Sequence, residues 1–222
     1  MDKQFYRSLC IALALCAGPL VGSLAWGAGT GSASPAAAPT MSKAQAQDPV
    51  AAALRAYNEG VKLVERADKA GTDAKKAQKN YASALKKFES AVEGNPQLAE
   101  GWNYVGYCRR QTGDYGGALG AYDEALRLKA GFPEALEYRG HAYLGLNRVD
   151  DARRDYLDLF GHNRALAGKL LAAISTWSGA QRAGANASAE QLNSLDAWIT
   201  EREKLAQQTA ALSRMGSAAG WN

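Results

Sequence analysis

The sequence predicts an all-α protein, a solenoid of about three to four helical hairpins with a long C-terminal capping helix. Composition is the first reason. Of 222 residues 47% are apolar, but Ala alone supplies 45 of them, while Ile occurs three times and Val seven times. So few β-branched residues cannot furnish several buried strands, whereas Ala, Leu, Glu, Lys, Gln and Arg are strong helix formers. Self-similarity is the second reason. Gly106 recurs as Gly140, Ala118 as Ala152 and Tyr122 as Tyr156, each 34 residues later. A period of that length marks stacked helix pairs, none of which can bury its apolar face alone. The 26 Lys+Arg against 22 Asp+Glu leave a net charge of +4. That excess is too small for a dedicated nucleic-acid binder, which carries a strong basic stripe.

Residues 1–27 read as a secretory signal peptide. Lys3 and Arg7 precede an apolar run from Leu9 to Leu15, and Ala25-Trp26-Gly27 places small residues where a signal peptidase cuts. The rival reading is an uncleaved membrane anchor. Gly18, Pro19 and Gly22 interrupt the run, leaving about half of the roughly 20 apolar residues a spanning helix needs. Leu13-Ala14-Leu15-Cys16 resembles a lipoprotein box, with Leu15 where a small residue is expected. Cleavage would remove Cys10 and Cys16 and leave Cys108 alone, so the mature chain would hold no internal disulfide. Together these features predict a bacterial periplasmic protein. Residues 28–48 are rich in Ala, Ser, Pro and Gly and cannot bury enough apolar surface to offset their ordering entropy, which predicts a disordered linker. Asp48-Pro49 then reads as a helix start, with Asp as cap and Pro in the first turn.

The repeat region spans residues 49–160, in units 49–98, 99–132 and 133–160. Counting Ala99 as the first place of its unit, Trp102, Val105, Gly106, Ala118, Tyr122 and Ala125 occupy set positions, and Leu136, Gly140, Tyr143, Ala152 and Tyr156 do so in the next. Gly or Ala at fixed places lets two helices approach, and large residues nearby fill the flanking space. Gly113 and Asn147 stand in the tight turns, where a left-handed backbone is suited. This pattern resembles the tetratricopeptide repeat, a pair of antiparallel helices. Arg109 replaces the usual aromatic of the first helix and Ala130 the usual Pro. In the first unit Ala84, Phe88, Ala91 and Pro96 match a second helix, and Gly60 takes the close-packing place of the first. Gly60 and Ala84 lie 24 residues apart where the pattern expects 12, so a polar insertion near residues 66–80 should lengthen both helices. Residues 161–214 form a degenerate fourth hairpin and cap. Leu170, Ala173, Ile174 and Trp177 take first-helix places, SGAQRAGANA (178–187) reads as a loop, and Ser188 as an N-cap. Leu192, Leu195, Ile199 and Leu205 then make an apolar stripe at helical spacing. Residues 215–222 are expected to be a frayed tail.

The resemblance implies a concave groove lined by first helices that grips a peptide or partner protein. Its groove places fall on Glu100, Asn103, Tyr107, Arg110 and Gln111, then Glu134, Glu137, His141 and Leu144, with Tyr57, Val61 and Val64 joining from the first unit. The candidate partner-binding set is Tyr57, Asn103, Tyr107, Arg110, Gln111, Glu137 and His141. Asn103 and Arg110 can bond a peptide backbone or carboxylate, and Tyr57 and Tyr107 offer flat contact at low entropy cost. Members that bind chaperone tails use a Lys, Asn and Arg clamp. Glu134 and Tyr138 stand where that clamp needs Lys and Arg, so it is absent here.

Catalytic patterns are sparse. His141 and His162 lie 21 residues apart without HExxH spacing, and a single mature thiol excludes Cys-pair metal sites. No G-x-S-x-G elbow and no P-loop occur. Cys108 and His141 fall on first helices of adjacent units, but Cys108 holds a place usually taken by a small packing residue, which favours a buried inert thiol. The tyrosines and Trp102, at helical spacing, read as core. No enzyme activity and no cofactor are expected. The partner expected is a protein or peptide, with no nucleic acid. From Lys62 to Lys87 eight basic residues face three acidic ones. That stretch is either a solvated helix face or a tether for anionic head groups or an acidic partner.

Overall fold

A computed structural model describes residues 48–184 and 187–218, with side chains up to Leu212. The expected signal peptide, nearly all of the linker and the last four residues of the tail lie outside the described residues. Eight helices follow one another: α1 (Pro49–Asp68), α2 (Ala74–Gly94), α3 (Ala99–Gln111), α4 (Tyr115–Leu128), α5 (Pro133–Gly145), α6 (Val149–His162), α7 (Arg164–Gly184) and α8 (Ala189–Ala218). No strand occurs among the described residues, and none of their helices is long and apolar enough to cross a membrane.

Local chemistry sets the helix ends. Asp48, Asp73 and Asp114 each accept a hydrogen bond from the first-turn backbone N–H of Val50, Lys76 and Gly117, at 2.9, 2.9 and 2.8 Å. Asn163 caps α7 through Leu166 N–H at 3.1 Å. Ser188 and Gln191 form a reciprocal capping box: Gln191 N–H donates to Ser188 Oγ and Ser188 N–H to Gln191 Oε1. Three hairpin turns hold a left-handed residue, Gly71 at φ 60°, Gly113 at φ 90° and Asn147 at φ 58°; the last two are the positions marked for it in the sequence.

The 34-residue period becomes visible as packing. A Cβ on Gly106 would lie 2.6 Å from the Tyr122 ring, and one on Gly60 would lie 2.7 Å from Phe88, so the same close approach seats α4 on α3 and α2 on α1. Gly140 departs from the pattern. It faces Leu170 of α7, while Tyr156 turns to Phe160 and to Trp198 of α8. The insertion lengthens both helices of the first hairpin as expected: α1 and α2 have 20 and 21 residues where α3 and α4 have 13 and 14.

Each apolar cluster bridges neighbouring hairpins. Val64, Tyr81, Phe88 and Val92 of the first meet Val105, Tyr107 and Cys108 of the second. Tyr122 and Ala125 meet Phe132 and Ala142. Leu136, Tyr156 and Leu159 meet Leu170 and Ile174, with Leu195 and Ile199 closing the end. Burying whole Leu, Ile or Phe side chains contributes about 1.5–3 kcal/mol each, so these shared clusters supply the driving force for stacking. One buried ion pair adds specificity. Arg139 of α5 donates to both oxygens of Asp155 on α6, at 3.1 and 2.6 Å, and also to Asp123 of α4 at 2.7 Å. Asp155 is 2% exposed, and burial raises its carboxyl above the usual range against the pull of Arg139.

The C-terminal region holds one correction. Residues 178–184 continue α7 as helix rather than opening a loop. Ser178 donates to Asp196 of α8 at 2.7 Å, and Arg182 reaches the same carboxylate at 2.6 Å. These bonds tie the last turns of α7 to α8 and offset the weak helix preference of Gly179 and Ser178. Leu192, Leu195 and Ile199 are buried as expected and Leu205 is half-buried. Helix α8 runs on to Ala218, into the segment expected as tail.

Candidate functional site

Most of the candidate partner-binding residues come together on the face shared by α1, α3 and α5, whereas Val64 and Leu144, expected in the groove, are buried in separate core clusters and Glu100 pairs with Lys129. Asn103, Tyr107 and Arg110 project from one side of α3 because their spacing of four and three residues returns to one helix face. An aromatic ladder crosses the helices. Tyr57 of α1 meets Tyr104 of α3 edge-on with centroids 5.7 Å apart, and Tyr104 stacks on Phe88 at 4.7 Å. Tyr107 packs on Tyr138 of α5 at 5.1 Å, and Tyr138 reaches Tyr122 at 6.3 Å. The Arg110 guanidinium lies over both Tyr107 and Tyr138, 5.3 and 5.6 Å from their centroids.

Polar groups on this face divide into satisfied and orphaned ones. Tyr81 donates its hydroxyl to Asp68 at 2.6 Å, Tyr107 donates to the same oxygen at 3.5 Å, and Gln111 donates to Tyr107 at 3.0 Å. His141 and Glu137 meet at 3.2 Å along α5. Among the described residues, the buried Asn103 Oδ1 lacks a hydrogen-bond partner here, whereas the buried Arg110 guanidinium and Tyr122 hydroxyl pair with each other. An unpaired buried polar atom costs about 1–3 kcal/mol. Asn103 is 6% exposed, so its carboxamide oxygen bears much of that cost.

The structure places the seven sequence-derived residues at different depths. Asn103, Tyr107 and Glu137 are buried, while Tyr57, Arg110, Gln111 and His141 are half-buried. The sequence assigns no site role to Asp68, Tyr81 or Tyr104, and it names Tyr138 only as the residue standing where a clamp needs Arg. Asp68 and Tyr81 sit at or beside the insertion, where the repeat pattern assigns no place. The signal for Tyr138 is that clamp place itself, which puts it on the groove side of α5. Cys108 is fully buried, and burial pushes its thiol up to about 12, the opposite of an activated nucleophile. Among the described residues no three His, Cys, Asp or Glu side chains gather as a metal site requires. A cleft of about 860 Å³ lies away from this face, at the Asn147 turn between Arg153 of α6, Trp177 of α7 and Gln191 of α8.

No family model matches the chain. It is 32% identical over 74 residues to the protein FlbA of Caulobacter vibrioides, which covers 33% of this chain and 12% of that protein. It is 33% identical over 87 residues to DnaJ homolog subfamily C member 3 of Homo sapiens, covering 37% of this chain and 16% of that protein. The chain thus spans 12% and 16% of the lengths of these curated relatives. Among solved structures, the first TPR of Spaghetti (RPAP3) bound to an HSP90 peptide has a TM-score of 0.48 at 19% identity, over 57% of this chain and 93% of that one. The first TPR domain of human RPAP3 has a TM-score of 0.49 at 19% identity, over 59% and 95%.

Proposed function

We propose, from the premise that this fold is a tetratricopeptide-repeat solenoid, that the protein is a non-catalytic scaffold holding a partner protein or extended peptide on its α1–α3–α5 face. One observation carries the reading: the orphaned carboxamide oxygen of Asn103, buried on the same side of α3 as the guanidinium of Arg110, whose described polar partner is the Tyr122 hydroxyl. Both lie beside the Tyr57–Tyr138 ladder. An extended segment brings backbone N–H groups for the first and carbonyls for the second, and the rings supply flat apolar contact. Binding would turn the cost of the unpaired Asn103 oxygen into differential affinity. The N-terminal pattern of residues 1–27 supports an exported protein acting in the periplasm, within envelope assembly or secretion. A mature mass beginning near Ala28 tests that address.

The scaffold reading is tested by pull-down from envelope extract with wild type and an Asn103→Ala/Arg110→Ala variant, each checked for an unchanged melting transition within a few degrees. The expected outcome is loss of at least one partner that wild type retains. Equal recovery of every partner by both proteins, with both folded, overturns it.

A further inference from the structure

The charge of the array is distributed unevenly. Residues 49–94, the first hairpin, carry nine basic and six acidic side chains, whereas residues 99–218 carry fourteen of each. The surplus therefore belongs to one hairpin. Five of its nine cations lie in rows opposite the buried faces of the two helices. Arg55, Lys62 and Arg66 recur at spacings of seven and four residues on α1, one helix face. Lys76 and Lys87 of α2 are eleven residues apart, three helical turns, and so share a face too. Glu59 joins the two sets. Its carboxylate bonds Lys87 Nζ at 2.7 Å, and Lys87 first, with Lys62 and Arg55 behind it, holds that carboxyl below its usual range. All five cations are exposed.

We infer that this outer face of the first hairpin binds an anionic lipid surface. Two antiparallel helices present these cations as rows along their exposed sides; of the two described clefts, one lies at the Asn147 turn and the other ends at Ala52 and Ser90, one turn short of Arg55 and Lys87. A polybasic helix face is the pattern that attracts anionic lipid head groups. Laterally mobile head groups need only charge. The α1 row from Arg55 to Arg66 spans about 16 Å at 1.5 Å per residue, twice the physiological Debye length, so its charges act on separate head groups and the binding fades with salt. Each such cation near an anionic surface raises partitioning about fivefold. Glu59, the one acid between the rows, opposes them. This inference stands independently of the partner-binding face, which lies on the α3 side of α1.

The test is co-sedimentation of the full chain with vesicles of phosphatidylcholine alone and of phosphatidylcholine with 30% phosphatidylglycerol. Lys3 and Arg7 beside the apolar Leu9–Leu15 stretch also favour anionic vesicles, so the comparison of wild type with the variants isolates the charged face. Wild type is expected to prefer anionic vesicles at least tenfold at low salt and to lose that preference at 0.5 M salt. A Lys62→Gln/Arg66→Gln/Lys76→Gln/Lys87→Gln variant should lose most of the preference while binding neutral vesicles as wild type does. Glu59→Gln should increase it, and this single change guards against a folding failure in the fourfold variant. Equal wild-type binding to both vesicles, an undiminished preference in the fourfold variant, or binding of poly-glutamate without vesicle discrimination would each overturn the inference.

Discussion

Gly106 shows how one missing side chain determines a helix contact. Tyr122 occupies the space its Cβ would need, at 2.6 Å, and Tyr122 is fully buried among Ala118, Ala125 and Phe132. The ring has no room to retreat. Gly106→Ala gains helix propensity of about 1 kcal/mol but overpacks a site where such insertions cost about 1–3 kcal/mol. The expected net effect is destabilisation by about 1 kcal/mol or more, read as a lower urea midpoint. An unchanged or higher midpoint would show that the α3–α4 contact is looser than the coordinates place it. Cys108 makes the matching chemical statement. With the thiol raised to about 12 by burial beside Asp68 and Glu89, almost none is thiolate at pH 8. Alkylation by iodoacetamide should follow the rate of unfolding, and labelling of the native protein within minutes would contradict the packing.

At the scale of elements, Arg139 binds α4, α5 and α6 together, and its two partners should differ sharply in weight. Asp155 is buried and Asp123 is 57% exposed. Removing the buried partner leaves an uncompensated charge, so Asp155→Ala should cost about 3 kcal/mol, near the lower end for such deletions because Arg139 keeps Asp123. Asp123→Ala should cost no more than about 1 kcal/mol. Denaturant titration of both variants checks the contrast, and similar losses would refute it. The same scale shows what sequence can and cannot reveal. Gly106 with Tyr122, and Gly113 and Asn147 in the turns, were legible because a fixed period names their places. The end of α7 was not. Gly179, Gly184 and Ser178 are loop-forming types, and only the tertiary bonds to Asp196 keep them helical. Gly140 misled in a subtler way: it keeps its place in the period, but the late start of α8 lets Leu170 fill the space.

Across the whole molecule, the candidate face was legible as a set of residues and not as a surface. Spacing alone put Asn103, Tyr107 and Arg110 on one side of a helix. The setting of Tyr107 follows from contacts the repeat pattern does not contain, with Asp68 and Tyr81 supplied by the elongated first hairpin. A partner must therefore meet a preformed and partly sealed network rather than an open trough. Surface residues such as Gln111 and His141 then sample the partner first, with Asn103 reached last.

Shared clusters also decide where this chain can be cut. A truncation after His162 would strip Leu170, Ile174, Leu195 and Ile199 from Leu136, Tyr156 and Leu159, leaving a greasy stump in water. Such a fragment should self-associate during expression, so a shortened version for crystallisation or fusion should retain the chain through at least Leu205.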